Sequence, residues 1–463
     1  MTVHVYVGPT LSAAEVAAIV PDAQLHAPVQ HGDLLRAKLR EGDRVLLIDG
    51  YYHQAGAVRH KEILDLLDSG VIVVGAASMG AMRAAELSDL GMIGVGEVFE
   101  MYRTGVITGD DEVAVAHGEP PDYRKFSEAL VNIRYALRQA VAGGVVDQAE
   151  AAGLLRHASA ASYTFRSWRA IEDAVQRADP WLLPALRRMR DLRPADPSAS
   201  DLKALDARRA LHDLTCAQPP PAQALGWRRN RGWHTRLLYD WKARFRGAVV
   251  EDILADDLSN ARYQQIYDRG FPARWRAFVL GKIASVSQPG MAAGDLVPAA
   301  LLAAADAGLS YESLSQTQKA EWLTPSELAS LLPDEAMVTI LVRSYQPPRG
   351  LFELVEVAAG PLPARQATRS LVAAAFATNE AAAVKAPHWQ VSHLNRDVLG
   401  SQLMQIWGCA PADLAALDAH ARDRGLASFD AAVEVFRPFF LKQRVGEASP
   451  VAVPQPSSAG TRT

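Results

Sequence analysis

The chain has only two cysteines, Cys216 and Cys409, in 463 residues. They lie far apart and form no C-x-x-C pair, so neither a disulfide framework nor a cysteine-bound zinc site is available. No apolar run reaches the roughly 18 residues that a membrane span requires. Neither sign of charge is in marked excess: 48 Lys and Arg against 52 Asp and Glu leave a formal net charge of −4, too little to create a global basic field for nucleic acid or an anionic membrane. The opening residues, Met1 to Gly8, alternate like a strand and lack the charged-then-apolar layout of a secretion signal. These absences lead us to expect a cytoplasmic protein with no metal, no cofactor and no membrane partner, and with nucleic acid disfavoured.

What is present is an ordinary globular composition, 49% hydrophobic and 22% charged, in a chain longer than one core usually supports. Two or three domains are expected. Val3 to Val7 reads as a strand, followed by a helix opened by Ser12 with Glu15 three residues on, a capping box. Asp33 to Leu39 reads as a short helix, and Val45 to Ile48 as a strand buried on both faces, ending at Asp49-Gly50. Val58 to Leu67 is amphipathic; Val71 to Val74 forms another β-branched run, and a helix is expected from Met79 to Leu90. Strands alternating with helices predict an α/β fold, with a mostly parallel N-terminal sheet covered by helices on both faces and a largely α-helical C-terminal half.

The expected boundaries are 1–190 for the α/β domain with a helical extension, 191–225 for a proline-punctuated linker holding a short charged helix, 226–346 for a helical domain and 347–446 for a C-terminal helical region. Residues 447–463 are rich in Ser, Pro, Ala and Gly and are expected to be a disordered tail.

The most informative stretch runs from Val71 through Gly75-Ala76-Ala77-Ser78-Met79-Gly80. A buried strand passes through small residues into a helix at a serine, the layout of a nucleophile elbow. Unpaired N–H groups at the helix start, that of Met79 among them, suit an oxyanion in acyl or thioacyl transfer. The same residues fit a plain helix cap or a phosphate cradle. The candidate bases are His60 and Lys61, at the start of the preceding helix, and His117; Asp49 or Glu62 would orient the base. Arg83 and Glu86 follow Ser78 on its helix at a spacing that also lets them simply pair. Tyr102 and the acidic run Asp110-Asp111-Glu112 are candidate substrate contacts alongside Met79, Gly80 and His117, although acid triplets are usually solvated. Gly91 to Gly96 does not fit the dinucleotide-binding glycine spacing. The basic, aromatic stretch Trp227 to Arg246 is read as an amphipathic helix with solvated arginines.

Several ordered motifs resemble the TfuA-like core domain: Gly8-Pro9-Thr10-Leu11, Gly32-Asp33, Leu47-Ile48-Asp49-Gly50, His60-Lys61-Glu62-Ile63, Gly75 through Glu86, Gly91 through Gly96, and Asp110-Asp111-Glu112-Val113. The resemblance covers about residues 3–170 and includes Tyr163 to Arg166. The stretch His26 to His31 departs from it by lacking a double proline. The resemblance implies partnership with a YcaO-type enzyme, which activates a backbone amide with ATP so that sulfur replaces oxygen in a ribosomal peptide or protein. It implies either sulfide delivery from a thiocarboxylated sulfur-carrier protein or noncatalytic activation of the YcaO enzyme, with the precursor peptide or protein as the third partner. The residues favour delivery, by an enzyme resembling a serine hydrolase, with Ser78 expelling hydrosulfide and Arg83 attracting the carrier terminus. An adaptor and an anion- or nucleotide-binding module are the alternatives.

Overall fold

The computed structural model describes residues 1–53, 55–191, 201–214, 231–287, 296–358, 362–409 and 413–445. Cys216, the Pro219–Pro221 run, Trp227 to Asn230 and the expected tail lie outside these residues. The chain divides into two compact units, Met1–His234 and Thr235–Thr463.

The N-terminal unit is built on five parallel strands: β1 (Val3–Tyr6), β2 (Gln24–His26), β3 (Arg44–Leu47), β4 (Ile72–Ala76) and β5 (Ile93–Val95). Their order is β2-β1-β3-β4-β5. Strand alternation sends Tyr6, Val45, Leu47 and Val73 into one core, and Val5, Leu46, Ile48, Ile72 and Val74 into a second on the opposite face. The first core is closed by α3 (His60–Asp68), α4 (Met79–Leu87) and α5 (Glu97–Arg103). The second is closed by α1 (Ala13–Ile19) and by α10 (Leu202–Leu214), with a short α2 (Asp33–Arg36) near the first core. A sheet covered on both faces is the expected architecture. The capping box also forms: Ser12 accepts from Glu15 N (3.3 Å) and Glu15 accepts from Ser12 N (3.0 Å).

A four-helix extension follows the sheet: α6 (Leu130–Ala142), α7 (Gln148–Ala160), α8 (Trp168–Ala178) and α9 (Leu183–Asp191). They share an apolar core of their own that includes Ile133, Leu154, Ile171 and Leu182. The 191–225 zone, expected as a linker, holds α10. Ala204, Ala207, Ala210, Leu211 and Leu214 of this helix are buried on the sheet, so it forms part of the core and does not act as a tether.

The C-terminal unit is largely helical. Its longest helices include α11 (Phe271–Ser287) and α12 (Leu362–Lys385), and its central core holds Phe271, Trp275, Val279 and Val338. An antiparallel hairpin, β6 (Gly247–Val250) with β7 (Ile253–Asp256), interrupts the region expected to be all-helical. No helix among the described residues is long and apolar enough to cross a membrane.

Candidate functional site

In a 2-1-3-4-5 sheet the chain reverses its winding between β1 and β3, and ligands of such folds bind beyond the carboxyl ends of the strands at that point. The segments there are the Gly8–Thr10 loop after β1 and Asp49–Tyr52 after β3. One strand over, Ala77 and Ser78 follow β4.

The turn at Ser78 has the tight strand-to-helix geometry that its small residues foretell. Ala77 takes φ +65°, a left-handed conformation costly for a residue with a Cβ. Ser78 (φ −131°, ψ −127°) occupies the cap position of α4 without using its side chain as a cap. A Cβ on Gly80 would lie 1.7 Å from Leu47 O, and one on Gly75 would lie 2.1 Å from Gly80 O, so both glycines are demanded by the close approach of α4 to β3 and β4. The first turn is therefore held against the sheet, with Gly80 N donating to Ile48 O (3.2 Å) and Ser78 N to Ala76 O (2.7 Å). Those two amides are not available to an oxyanion. The Met79 side chain is buried in the core against Gly50, which leaves its backbone N–H as that residue's route to a substrate.

Asp49 is 2% exposed, and its carboxylate is saturated: Oδ2 accepts from Gly8 N (2.9 Å) and Thr10 N (3.0 Å), and Oδ1 accepts from Thr10 Oγ1 (2.6 Å). Lys203, from α10, is 1% exposed, donates to Val113 O (2.8 Å) and stands 4.0 Å from Asp49 Oδ1. Burial lowers the Lys203 pKa, against the opposing pull of Asp49. Asp201 accepts from Lys125 Nζ (2.6 Å) and caps α10 through Ala204 N (3.0 Å). Asp49 thus spans the two sides of the switch point and bonds no histidine. The N–H groups of Gly8 and Thr10 are occupied by this protein's own carboxylate.

The other candidates fall into separate groups. His60 Nε2 bonds Glu86 Oε2 (2.8 Å), and Glu86 also accepts from Arg83 (2.7 Å), which in turn donates to Val58 O (3.1 Å). Against the upward push of burial, these bonds hold the Glu86 carboxyl below the usual glutamate range. The acid that orients His60 is therefore Glu86, in place of the expected Glu62 or Asp49. Glu86 lies eight residues beyond Ser78, about 12 Å along the helix axis, and among the described residues no histidine is hydrogen-bonded to Ser78. Glu62 is fully buried and points elsewhere: it accepts from His31 Nδ1 (2.6 Å), Gly32 N (2.8 Å) and Arg59 N (3.1 Å), and burial raises its pKa. Lys61 is half-buried beside it on α3.

The acidic run separates in the same way. Glu112 forms a two-pronged pair with Arg134 (2.7 and 2.9 Å), Asp111 pairs with the fully buried Arg166 (2.8 Å), and Asp110 is exposed. Tyr102 donates to Gly109 O (2.9 Å); burial and these neighbouring acids raise its pKa. Among the described residues no three His, Cys, Asp or Glu side chains come together as a metal site.

His117 lies by the switch point. Its ring is 6.2 Å from that of Tyr51 and 5.7 Å from that of Tyr123. Tyr123 (φ +45°) is hydrogen-bonded to Tyr51, and burial, that bond and the Asp49 charge push its phenol up to about 12. His117 Nδ1 lies 2.9 Å from Gly118 O; a carbonyl only accepts, so Nδ1 donates. A cavity of about 1260 Å³ lined by Thr10, Lys125, Tyr135, Trp168, Asp201 and Arg208 also abuts this end of the sheet. Lys203, Asp201 and Lys125 escape a reading of the sequence, because nothing local links residues 49, 113, 125 and 203.

Residues 49–167 match the family described as TfuA-like protein. No curated protein matches the chain.

Proposed function

We propose that this TfuA-like chain, from a family associated with thioamide formation, is the partner of a YcaO-type enzyme in backbone thioamidation and delivers sulfide by hydrolysing a thiocarboxylated sulfur-carrier protein. The observation that carries this reading is Ser78, held on a strained strand-to-helix turn and not engaged in capping its own helix. Ser78 Oγ attacks the thiocarboxylate carbon; the C–O bond forms, the C–S bond breaks, and the hydroxyl proton leaves with sulfur as HS⁻. Water then cleaves the ester, returning the carrier carboxylate, a proton and free Ser78. His117, which lies by the switch point, and His60, with its Glu86 partner, are the candidate bases, and Arg83, on the helix that follows Ser78, is the proposed cation for the carrier terminus.

The test is sulfide release from a thiocarboxylated carrier, read by trapping HS⁻. Wild-type protein is expected to release it, and Ser78→Ala is expected to lower the rate by at least about 10²-fold. Undiminished release by the variant would rule out Ser78 catalysis. The second reading, a noncatalytic activator of the YcaO enzyme, draws support from the lack of a histidine bonded to Ser78. It predicts that free sulfide fails to replace this protein in thioamide formation, whereas delivery predicts that excess sulfide replaces it.

A further inference from the structure

Lys203 has no role in the reaction just described, yet a fully buried ammonium is costly to place unless its charge is answered. The groups around it are few. Val113 O takes one N–H (2.8 Å), Asp49 faces it at 4.0 Å, and Lys125, Asp201 and Glu128 contribute from farther off. Lys125 is answered by Asp201 (2.6 Å), which leaves Asp49 as the carboxylate opposite Lys203. Asp49, for its part, is the point on which Gly8 N, Thr10 N and Thr10 Oγ1 converge. Lys203 is anchored on its own helix by a bond from its backbone N–H to Asn132 Oδ1 (3.2 Å).

We propose that Lys203 is a positioning residue: as the buried counter-ion of Asp49, it fixes the Gly8–Thr10 loop across the switch point of the sheet, making α10 part of the functional site. The residue lies 36 positions beyond the segment matched by the family. The catalytic part of this inference rests on the sulfide-release reading; the positioning part does not.

The experiment uses the full chain carrying Lys203→Met, Asp49→Asn, or both, with amide hydrogen exchange at Gly8 and Thr10 and sulfide-release kinetics measured in parallel. In folded Lys203→Met, exchange at Gly8 and Thr10 is expected to rise at least 10-fold while the central-strand amide of Leu46 is unchanged. The rate of sulfide release is expected to fall in kcat, with KM within about 2-fold, since a positioning defect spares carrier binding. If Lys203→Met does not fold, the double variant decides: a folded double variant supports the counter-ion role, and a double variant as unfolded as the single overturns it. Unchanged exchange at Gly8 and Thr10 in a folded Lys203→Met also overturns it. Raised exchange in a protein whose wild type releases no sulfide removes the proposed reaction and leaves the positioning role standing.

Discussion

Asp49 and Ser78 follow adjacent parallel strands, yet they are held in opposite ways. Asp49 receives three hydrogen bonds from the Gly8–Thr10 loop and faces the buried ammonium of Lys203, two stretches of chain far from it in sequence. Ser78 is positioned by its own strand and helix and by the bond of Gly80 N to Ile48 O beside it, and its hydroxyl is left out of the cap it would ordinarily make. The contrast sets a scaffold group beside the proposed reactive one. A saturated carboxylate fixes geometry and has little left for a substrate, whereas the Ser78 hydroxyl, on a residue 7% exposed, sits at a strained turn without capping its helix.

Substitutions can break or sharpen that contrast. The largest expected effect is from Lys203→Met, which leaves the Asp49 charge buried without its cation. It should cost about 3–5 kcal/mol in urea unfolding, and Asp49→Asn in the same chain should recover a large part of the loss. Thr10→Val removes the 2.6 Å bond to the carboxylate and should cost about 1.5–3 kcal/mol. On the other strand, Ala77→Gly relieves a left-handed backbone and should raise stability by up to about 1 kcal/mol while lowering sulfide release, because the strain helps present Ser78. Ser78→Ala should change stability by less than about 0.5 kcal/mol, unlike Ser12→Ala, which breaks a formed capping box and should cost about 1 kcal/mol.

The smallest effect is a control away from both strand ends. His4 and His26 face each other at 3.0 Å beside Asp43 and Tyr6, and burial lowers both pKa values. The unfolded chain takes up protons near pH 6.5 and the folded chain only below that, so stability should fall as pH drops from 7 to 5. His26→Gln should flatten that slope in thermal melts without altering the response of the Asp49 variants.

The features legible in the sequence were those encoded within a few residues. The apolar run Val45 to Ile48 and the β-branched run around Val73 pointed to buried strands, Ser12 with Glu15 to the capping box, and Gly75 to Gly80 to the close strand-to-helix turn. β2 and β5 escaped because three residues each carry too little alternation to read. A short charged helix was legible where α10 lies, but its burial was not: the buried face mixes alanines and leucines with Lys203 and Asp206, so it reads as a surface helix between prolines. Asp206 accepts from Glu97 N and Val98 N (2.9 and 2.7 Å), capping α5 from more than a hundred residues away. The pairing of His60 with Glu86, and of Glu62 with His31, likewise depends on how α3 meets its neighbours, which residue spacing within α3 does not encode.

The central claim, that Ser78 is a nucleophile, is tested most directly by trapping its ester. Mixing the full chain with stoichiometric thiocarboxylated carrier, quenching in acid within the first turnover and mapping peptides by mass spectrometry should find the carrier terminus esterified to the peptide containing Ser78, in step with the first sulfide released. Sulfide released with no adduct on that peptide, and at an undiminished rate from Ser78→Ala, would contradict it.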